Sequence, residues 1–206
     1  MAERHGERPT ANGQRQFVSW LEVFAAVITA YSVWLTVREN IWCWPTGVVS
    51  VVLYGWIFWQ ARLYANAWLQ AFYLVLIAYG WYEWLHGGKH HDELHVSRTP
   101  LRGWIFTIVL GVIASSLLGW SMRRYTNASM PYSDAATTAF SVAAEAMTTR
   151  KWIENWIVWI FVDGVTTWML FVQRLYASTI LYFSFLVLAV IGWIEWKKSL
   201  VRSESA

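Results

Sequence analysis

Charge is scarce in this sequence. Charged residues are 14% of 206, against roughly a quarter in soluble domains, which excludes an ordinary soluble fold. Cysteine is nearly absent: the lone Cys43 cannot make an intramolecular disulfide, and at the start of an apolar block it reads as a small packing residue, so redox chemistry is not indicated. No Gly-x-x-x-x-Gly-Lys-Ser/Thr loop occurs, which excludes an on-board ATPase as the energy source. The polar residues 1–16 lead into a full-length apolar block rather than a short one with a small-residue cleavage site, so no cleaved signal peptide is expected.

What the sequence does have is hydrophobic residues, 57% of the chain, and aromatic residues, 18%. The apolar residues gather in blocks of roughly 18 to 21, the length that spans a hydrocarbon core as helix. These predict an all-α membrane protein with seven transmembrane helices at about Phe17–Val37, Trp44–Gln60, Ala65–Leu85, Gly103–Met122, Asp134–Thr149, Trp152–Val172 and Leu175–Trp196. The fifth is small and polar enough to require cover from neighbouring helices. The domain reading is a polar tail over 1–16, one transmembrane domain over 17–198 and a C-terminal tail over 199–206.

The net charge of +3 does not point to nucleic acid, because the basic residues sit at the ends of spans, where they anchor helices and face anionic lipid. Counted over alternate loops, seven basic residues (Arg4, Arg8, Arg15, Arg62, Arg123, Arg124, Arg174) lie on one side. Nine (Arg38, Lys89, Arg98, Arg102, Arg150, Lys151, Lys197, Lys198, Arg202) lie on the other. The positive-inside rule then places the C-terminus in the cytoplasm of a multi-pass inner-membrane protein.

An internal repeat organises the chain. Arg62-Leu63-Tyr64-Ala65 recurs as Arg174-Leu175-Tyr176-Ala177, and the same offset aligns Trp44 with Trp156, Trp56 with Trp168, Gly80-Trp81 with Gly192-Trp193 and Glu83-Trp84 with Glu195-Trp196. Repeat one runs over about 17–86, a linking helix over 103–122 and repeat two over 132–198. The single linking span leaves both copies crossing in the same direction, a parallel 3+1+3 arrangement. Paired repeats with a solute held near the midplane are a transporter architecture.

In the sixth span Trp152, Trp156, Trp159 and Asp163 fall at i, i+4, i+7 and i+11, on one helical face. A carboxylate at membrane depth costs several kcal/mol unless paired, hydrated or neutral, so Asp163 is read as facing a cavity, with a structural hydrogen-bond acceptor as the alternative. Indole faces attract cations, which makes an aromatic or cationic guest the expectation. Interface belts also use tryptophan, and Trp20, Trp104, Trp120 and Trp196 read as belt or packing residues.

The fifth span carries Asp134, Thr138, Ser141, Glu145 and Thr148 as a polar stripe, read equally as interhelical glue or cavity wall, with Asp134 open to a simpler role as helix-start acid. Gln70, Tyr73 and Trp81 share a face of the third span, and Tyr182 and Phe185 are the repeat counterparts of the first two. Packing and an amide or ribose site both suit them. His86, His90, His91 and His95 are poorly spaced for a metal and read as solvated loop residues; no metal or cofactor is expected. A membrane-embedded enzyme using Glu145, Glu154 and Asp163 is a remote reading: Glu154 and Asp163 are nine residues apart, about 13 Å along a helix, too far to act on one bond. A sensor would need an output segment beyond the short Lys197–Ala206 tail.

The segments Arg38-Glu39-Asn40-Ile41-Trp42-Cys43-Trp44-Pro45, Gln60-Ala61-Arg62-Leu63-Tyr64-Ala65, Tyr79-Gly80-Trp81-Tyr82-Glu83-Trp84 and Arg150-Lys151-Trp152-Ile153-Glu154-Asn155-Trp156 resemble the PnuC family of nicotinamide riboside transporters. The resemblance runs over about Trp20 to Lys198. It implies a full-length SWEET-like fold, a homotrimer with one pathway per protomer, and facilitated diffusion of nicotinamide riboside, trapped by a cytoplasmic kinase that feeds NAD biosynthesis. Carried over by motif position, the implied substrate site is Asn40, Trp44, Gln70, Tyr73, Asn155, Trp156, Trp159 and Asp163, to which Tyr182 is added as the repeat counterpart of Gln70. Asp163 departs from members that have asparagine there, and relatives altered in this segment resemble thiamine carriers, so thiamine stands as the alternative solute.

Overall fold

A computed structural model describes residues 11–88 and 93–204. Seven helices account for nearly all of them: α1 (Ala11–Val37), α2 (Cys43–Gln60), α3 (Tyr64–His86), α4 (Leu101–Tyr125), α5 (Pro131–Thr149), α6 (Asn155–Val172) and α7 (Tyr176–Glu204). Four contain stretches long and apolar enough to cross a bilayer by length and composition: Trp20–Val37 of α1, all of α4, all of α6 and Tyr176–Arg202 of α7. The sequence-based expectation of seven spans thus meets seven helices, of which α2, α3 and α5 fall short of that apolar standard.

Helix ends follow local chemistry. Pro100 precedes α4, and Pro131 opens α5 at a position where its missing N–H is no loss, with Asp134 in the first turn beside the positive end of the helix dipole. Four helices end in a residue with left-handed backbone: Glu39 (φ 54°), Arg62 (φ 60°), Lys151 (φ 47°) and Arg174 (φ 60°). At each, that residue's N–H and the next one turn back to two orphan carbonyls of the last helical turn, as in Glu39 N to Thr36 O (3.0 Å) and Asn40 N to Leu35 O (2.9 Å). Glycine usually fills this position; the four charged side chains accept a conformation that costs L-residues about 1 kcal/mol.

These caps follow the sequence repeat, since Glu39 and Lys151 stand at the same offset as Arg62 and Arg174. So do both ends of α2 and α6 and the starts of α3 and α7. Packing follows the repeat too: α2 touches α1 and α3, α6 touches α5 and α7, α3 packs on α5, and α1 on α7. Six helices thereby close a ring, and α4 lies outside it against α5. Along the α4–α5 seam, Phe140 and Tyr132 cover Gly111 and Gly119 so closely that a methyl group on either glycine would fall within 3.0 Å of a ring.

One residue of the face predicted from spacing falls off it. Trp152 lies outside α6, which starts at Asn155, because the left-handed turn at Lys151 ends the previous helix and Trp152 pairs with Ser97 in an isolated parallel bridge. Ser97 N donates to Lys151 O (3.0 Å) and Ile153 N to Ser97 O (2.9 Å), while Trp152 packs against Gly103 of α4. Of the tryptophans read as belt or packing residues, Trp20 and Trp120 are exposed and Trp104 packs beside the α5–α6 contact, whereas Trp196 is fully buried. Cys43 is buried at the first position of α2.

Candidate functional site

The ring of six helices encloses a cavity of about 860 Å³. Its rim residues, among them Glu22, Asn66, Asp134 and Ser178, are exposed, and its deepest ones, Trp44, Thr148 and Trp156, are buried. The cavity therefore has an open mouth and a closed floor.

Four tryptophans build the floor. Trp44 meets Trp84 edge-on (5.2 Å between ring centroids), Trp156 meets Trp196 edge-on (5.4 Å), and Trp84 and Trp196 join the two pairs (6.0 Å). The second pair is the repeat copy of the first, and their supports match as well. Trp84 Nε1 donates to Thr148 O (3.0 Å), and Trp196 Nε1 donates to Thr36 O (3.0 Å). Trp44 lies on Gly80 and Trp156 on Gly192, where a Cβ would come within 3.0 Å of the indole. Only glycine lets the rings reach these positions.

The walls carry most of the residues expected from sequence. Gln70 and Tyr73 of α3, Trp159 and Asp163 of α6 and Tyr182 of α7 all border the cavity, with Trp44 and Trp156 at its floor. Asn40 and Asn155 do not. Asn40 sits in the α1–α2 turn, where its Oδ1 accepts from Trp42 N (3.0 Å); Asn155 is buried at the start of α6, its Nδ2 donating to Trp152 O (2.6 Å) and its Oδ1 without a partner.

The α5 stripe is both glue and wall. Asp134, Thr138, Ser141, Glu145 and Thr148 all line the cavity, and two of them also tie helices together: Ser141 shares a hydrogen bond with Tyr73 (2.6 Å), and Thr148 Oγ1 accepts from Trp159 Nε1 (3.4 Å). Glu154 lies elsewhere and is structural, its Oε2 accepting from both N and Oγ1 of Thr99 (2.7 Å each) just before α4. His86 stacks on Tyr82, while His90 and His91 lie outside the described residues.

Sequence reading did not single out Glu22, Thr29, Ser32, Thr36, Ser50, Tyr54 or Asn66, all of which line the cavity. The repeat held the missing signal. Applying the repeat offset to Asp134, Ser141 and Thr148 leads to Glu22, Thr29 and Thr36.

A family model described as nicotinamide mononucleotide transporter matches residues 19–198. The nicotinamide riboside transporter PnuC of Escherichia coli (strain K12) is 26% identical over 207 residues, covering 88% of this chain and 87% of its own. The riboflavin/roseoflavin transporter RibM of Streptomyces davaonensis is 25% identical over 189 residues, with 88% and 86% covered. A crystal structure of the vitamin B3 transporter PnuC superposes with a TM-score of 0.70 at 23% identity, over 89% of this chain and 83% of that one, so the fold is shared. With the ring of helices, the cavity and a family match over nearly the whole chain, this protein belongs to the nicotinamide mononucleotide transporter family of membrane transporters and is similar to the PnuC proteins.

Proposed function

We propose that the protein carries nicotinamide riboside across the cell inner membrane by facilitated diffusion, with cytoplasmic phosphorylation trapping the solute and drawing uptake. The observation that carries this reading is the composition of the cavity: rings, amides, hydroxyls and carboxylates line it, and no lysine, arginine or histidine among the described residues does. A nucleoside suits such a lining. A phosphate does not, because it would leave water for a space bordered by carboxylates, with no base to pair with it. The substrate named for the Escherichia coli relative supports the same choice.

All seven helices cross the membrane in this reading, as a SWEET-like parallel 3+1+3 repeat with α4 as the linking helix. Support comes from the caps, helix ends and floor contacts that recur at the repeat offset. Although α2, α3 and α5 are less apolar, polar residues in their middle turns, among them Ser50, Gln70, Tyr73, Ser141 and Glu145, line the cavity, where lipid does not reach them. Gln70, Tyr73, Trp159, Asp163 and Tyr182 hold the solute between rings and hydrogen-bonding groups. Trp44 and Trp156, with Asn155 behind them, form the floor that has to part, and Asn40 joins the pathway when the α1–α2 turn moves with it. With the C-terminus cytoplasmic, the floor faces the cytoplasm and the mouth faces outward. Three protomers each with its own pathway form the homotrimer.

The Streptomyces davaonensis relative favours a second reading, in which the same framework carries another vitamin; thiamine, also a cationic aromatic, is the direct competitor. Proteoliposomes test both. Labelled nicotinamide riboside should equilibrate to equal concentration inside and out, and should accumulate only when a ribosylnicotinamide kinase and ATP are enclosed. Accumulation without the kinase contradicts facilitated diffusion, and entry of thiamine alone contradicts the substrate.

A further inference from the structure

The cavity is paired in outline and one-sided in charge. Some lining positions match in kind at the repeat offset, as in Glu22 with Asp134 and Thr36 with Thr148, and others do not; among these, Val33 stands against Glu145, Gly47 against Trp159 and Val51 against Asp163, and all six residues line the cavity. The half with α5 and α6 thus supplies an indole and two carboxylates where the half with α1 and α2 supplies valines and a glycine.

The two acids lie at one depth. Ala144 and Met147 pack with Val158 and Val162, which fixes α5 and α6 as antiparallel neighbours, and the Trp159 Nε1 to Thr148 Oγ1 hydrogen bond (3.4 Å) marks a level on both. Glu145 is three residues from Thr148 and Asp163 four from Trp159, each leading away from the α5–α6 connection, so the carboxylates sit about 4.5 and 6 Å beyond that level. Asp163 is only 6% exposed, borders the cavity and has no hydrogen-bond or ion-pair partner among the described residues. Glu145, partly buried, is equally unpartnered. Helix packing does not require these acids, since valine occupies both matching positions in the other half.

We propose that Glu145 and Asp163 make the cavity a filter for positive charge on the solute ring: it accepts the oxidised, cationic pyridinium nucleoside and rejects the neutral dihydropyridine nucleoside of nearly the same shape. The proposal rests on the nicotinamide riboside reading above and adds a selectivity to it. Both rings can lie on the Trp159 indole. Only the cation gains from the indole face and from two carboxylates in a space that water screens poorly.

The test is calorimetric titration of the purified full-length protein with nicotinamide riboside and with its 1,4-dihydro form, on the wild type, Glu145→Gln and Asp163→Asn. The wild type should bind the cation at least tenfold more tightly, and each variant should cut that ratio threefold or more. The ratio is the readout because a poorly folded variant weakens both solutes together. Equal affinity for the two forms in the wild type, or a ratio unchanged in both variants, overturns the filter and leaves the nicotinamide riboside reading standing. Binding of neither form overturns that reading and the filter with it.

Discussion

Glu39 and Lys151, repeat counterparts in sequence, both hold a left-handed backbone and meet each other in an ion pair at 3.7 Å. Each ends a helix, α1 or α5, so the pair fastens two matching helix ends across the closed floor of the cavity. The Lys151 side chain is 9% exposed and its Nζ lies 4.3 Å from the centre of the Trp84 ring. A cation held there gives up hydration and takes a carboxylate and an indole face in return.

Breaking this pair from one side should leave Lys151 short of its partner. Glu39 retains some solvent contact, so Glu39→Gln should cost about 1 to 3 kcal/mol, below the roughly 3–5 kcal/mol seen for fully buried pairs. Removing both charges in Glu39→Gln with Lys151→Met should cost less than the sum of the single changes. Thermal unfolding of the four proteins in detergent measures the coupling.

The same lysine gives a pH dependence with a definite sign. Burial pushes the Lys151 pKa down, against the opposing pull of Glu39 and Glu93. The unfolded chain therefore holds more protons than the folded one between the lowered value and the ordinary lysine value of about 10.4, and stability rises with pH in that window. The unfolding midpoint of the wild type minus that of Lys151→Met should increase as pH approaches that ordinary value from below.

Three glycines separate close packing from mere helix propensity. Gly80→Ala and Gly192→Ala push a methyl group into Trp44 and Trp156 and should each destabilise by about 1 to 3 kcal/mol. Gly164, with nothing within 4 Å of an added Cβ, should accept alanine with a change of less than about 1 kcal/mol, in the stabilising direction. Comparing the three unfolding midpoints checks whether the tryptophan floor is as tight as its geometry.

Glu154 anchors the segment before α4 through its two bonds to Thr99. Replacing the carboxylate with an amide in Glu154→Gln removes the charge-assisted character of these bonds, a loss of about 1 to 2 kcal/mol. Hydrogen exchange should then speed up at Ser97 and Thr99, while solute binding in the cavity is kept.

Much of this architecture was legible in the sequence because its main signals are local or periodic. Apolar block lengths gave seven helices, and a fixed spacing of identical residues foretold the matching of Trp44 with Trp156 and Trp84 with Trp196. The sixth helix was misread at its start. Periodicity alone carries Trp152 onto the face of Trp156 and Trp159, whereas the left-handed turn at Lys151 and the pairing with Ser97 depend on a distant segment, far back along the chain. Asn155 is a similar case: its position at the first residue of a helix fills its amide with a local hydrogen bond to Trp152, which spacing does not foretell. The α5 stripe divided between two roles in the sequence because a helix at a cavity edge bonds its neighbour and faces the space with the same set of hydroxyls, as Ser141 and Thr148 do.

The central claim is that this cavity binds nicotinamide riboside against the Trp159 indole. Isothermal calorimetry of the purified protein with nicotinamide riboside and with thiamine, repeated on Trp159→Ala, tests it most directly. The account predicts preferential binding of nicotinamide riboside that Trp159→Ala weakens tenfold or more; thiamine binding alone, or nicotinamide riboside binding indifferent to the loss of the indole, would contradict it.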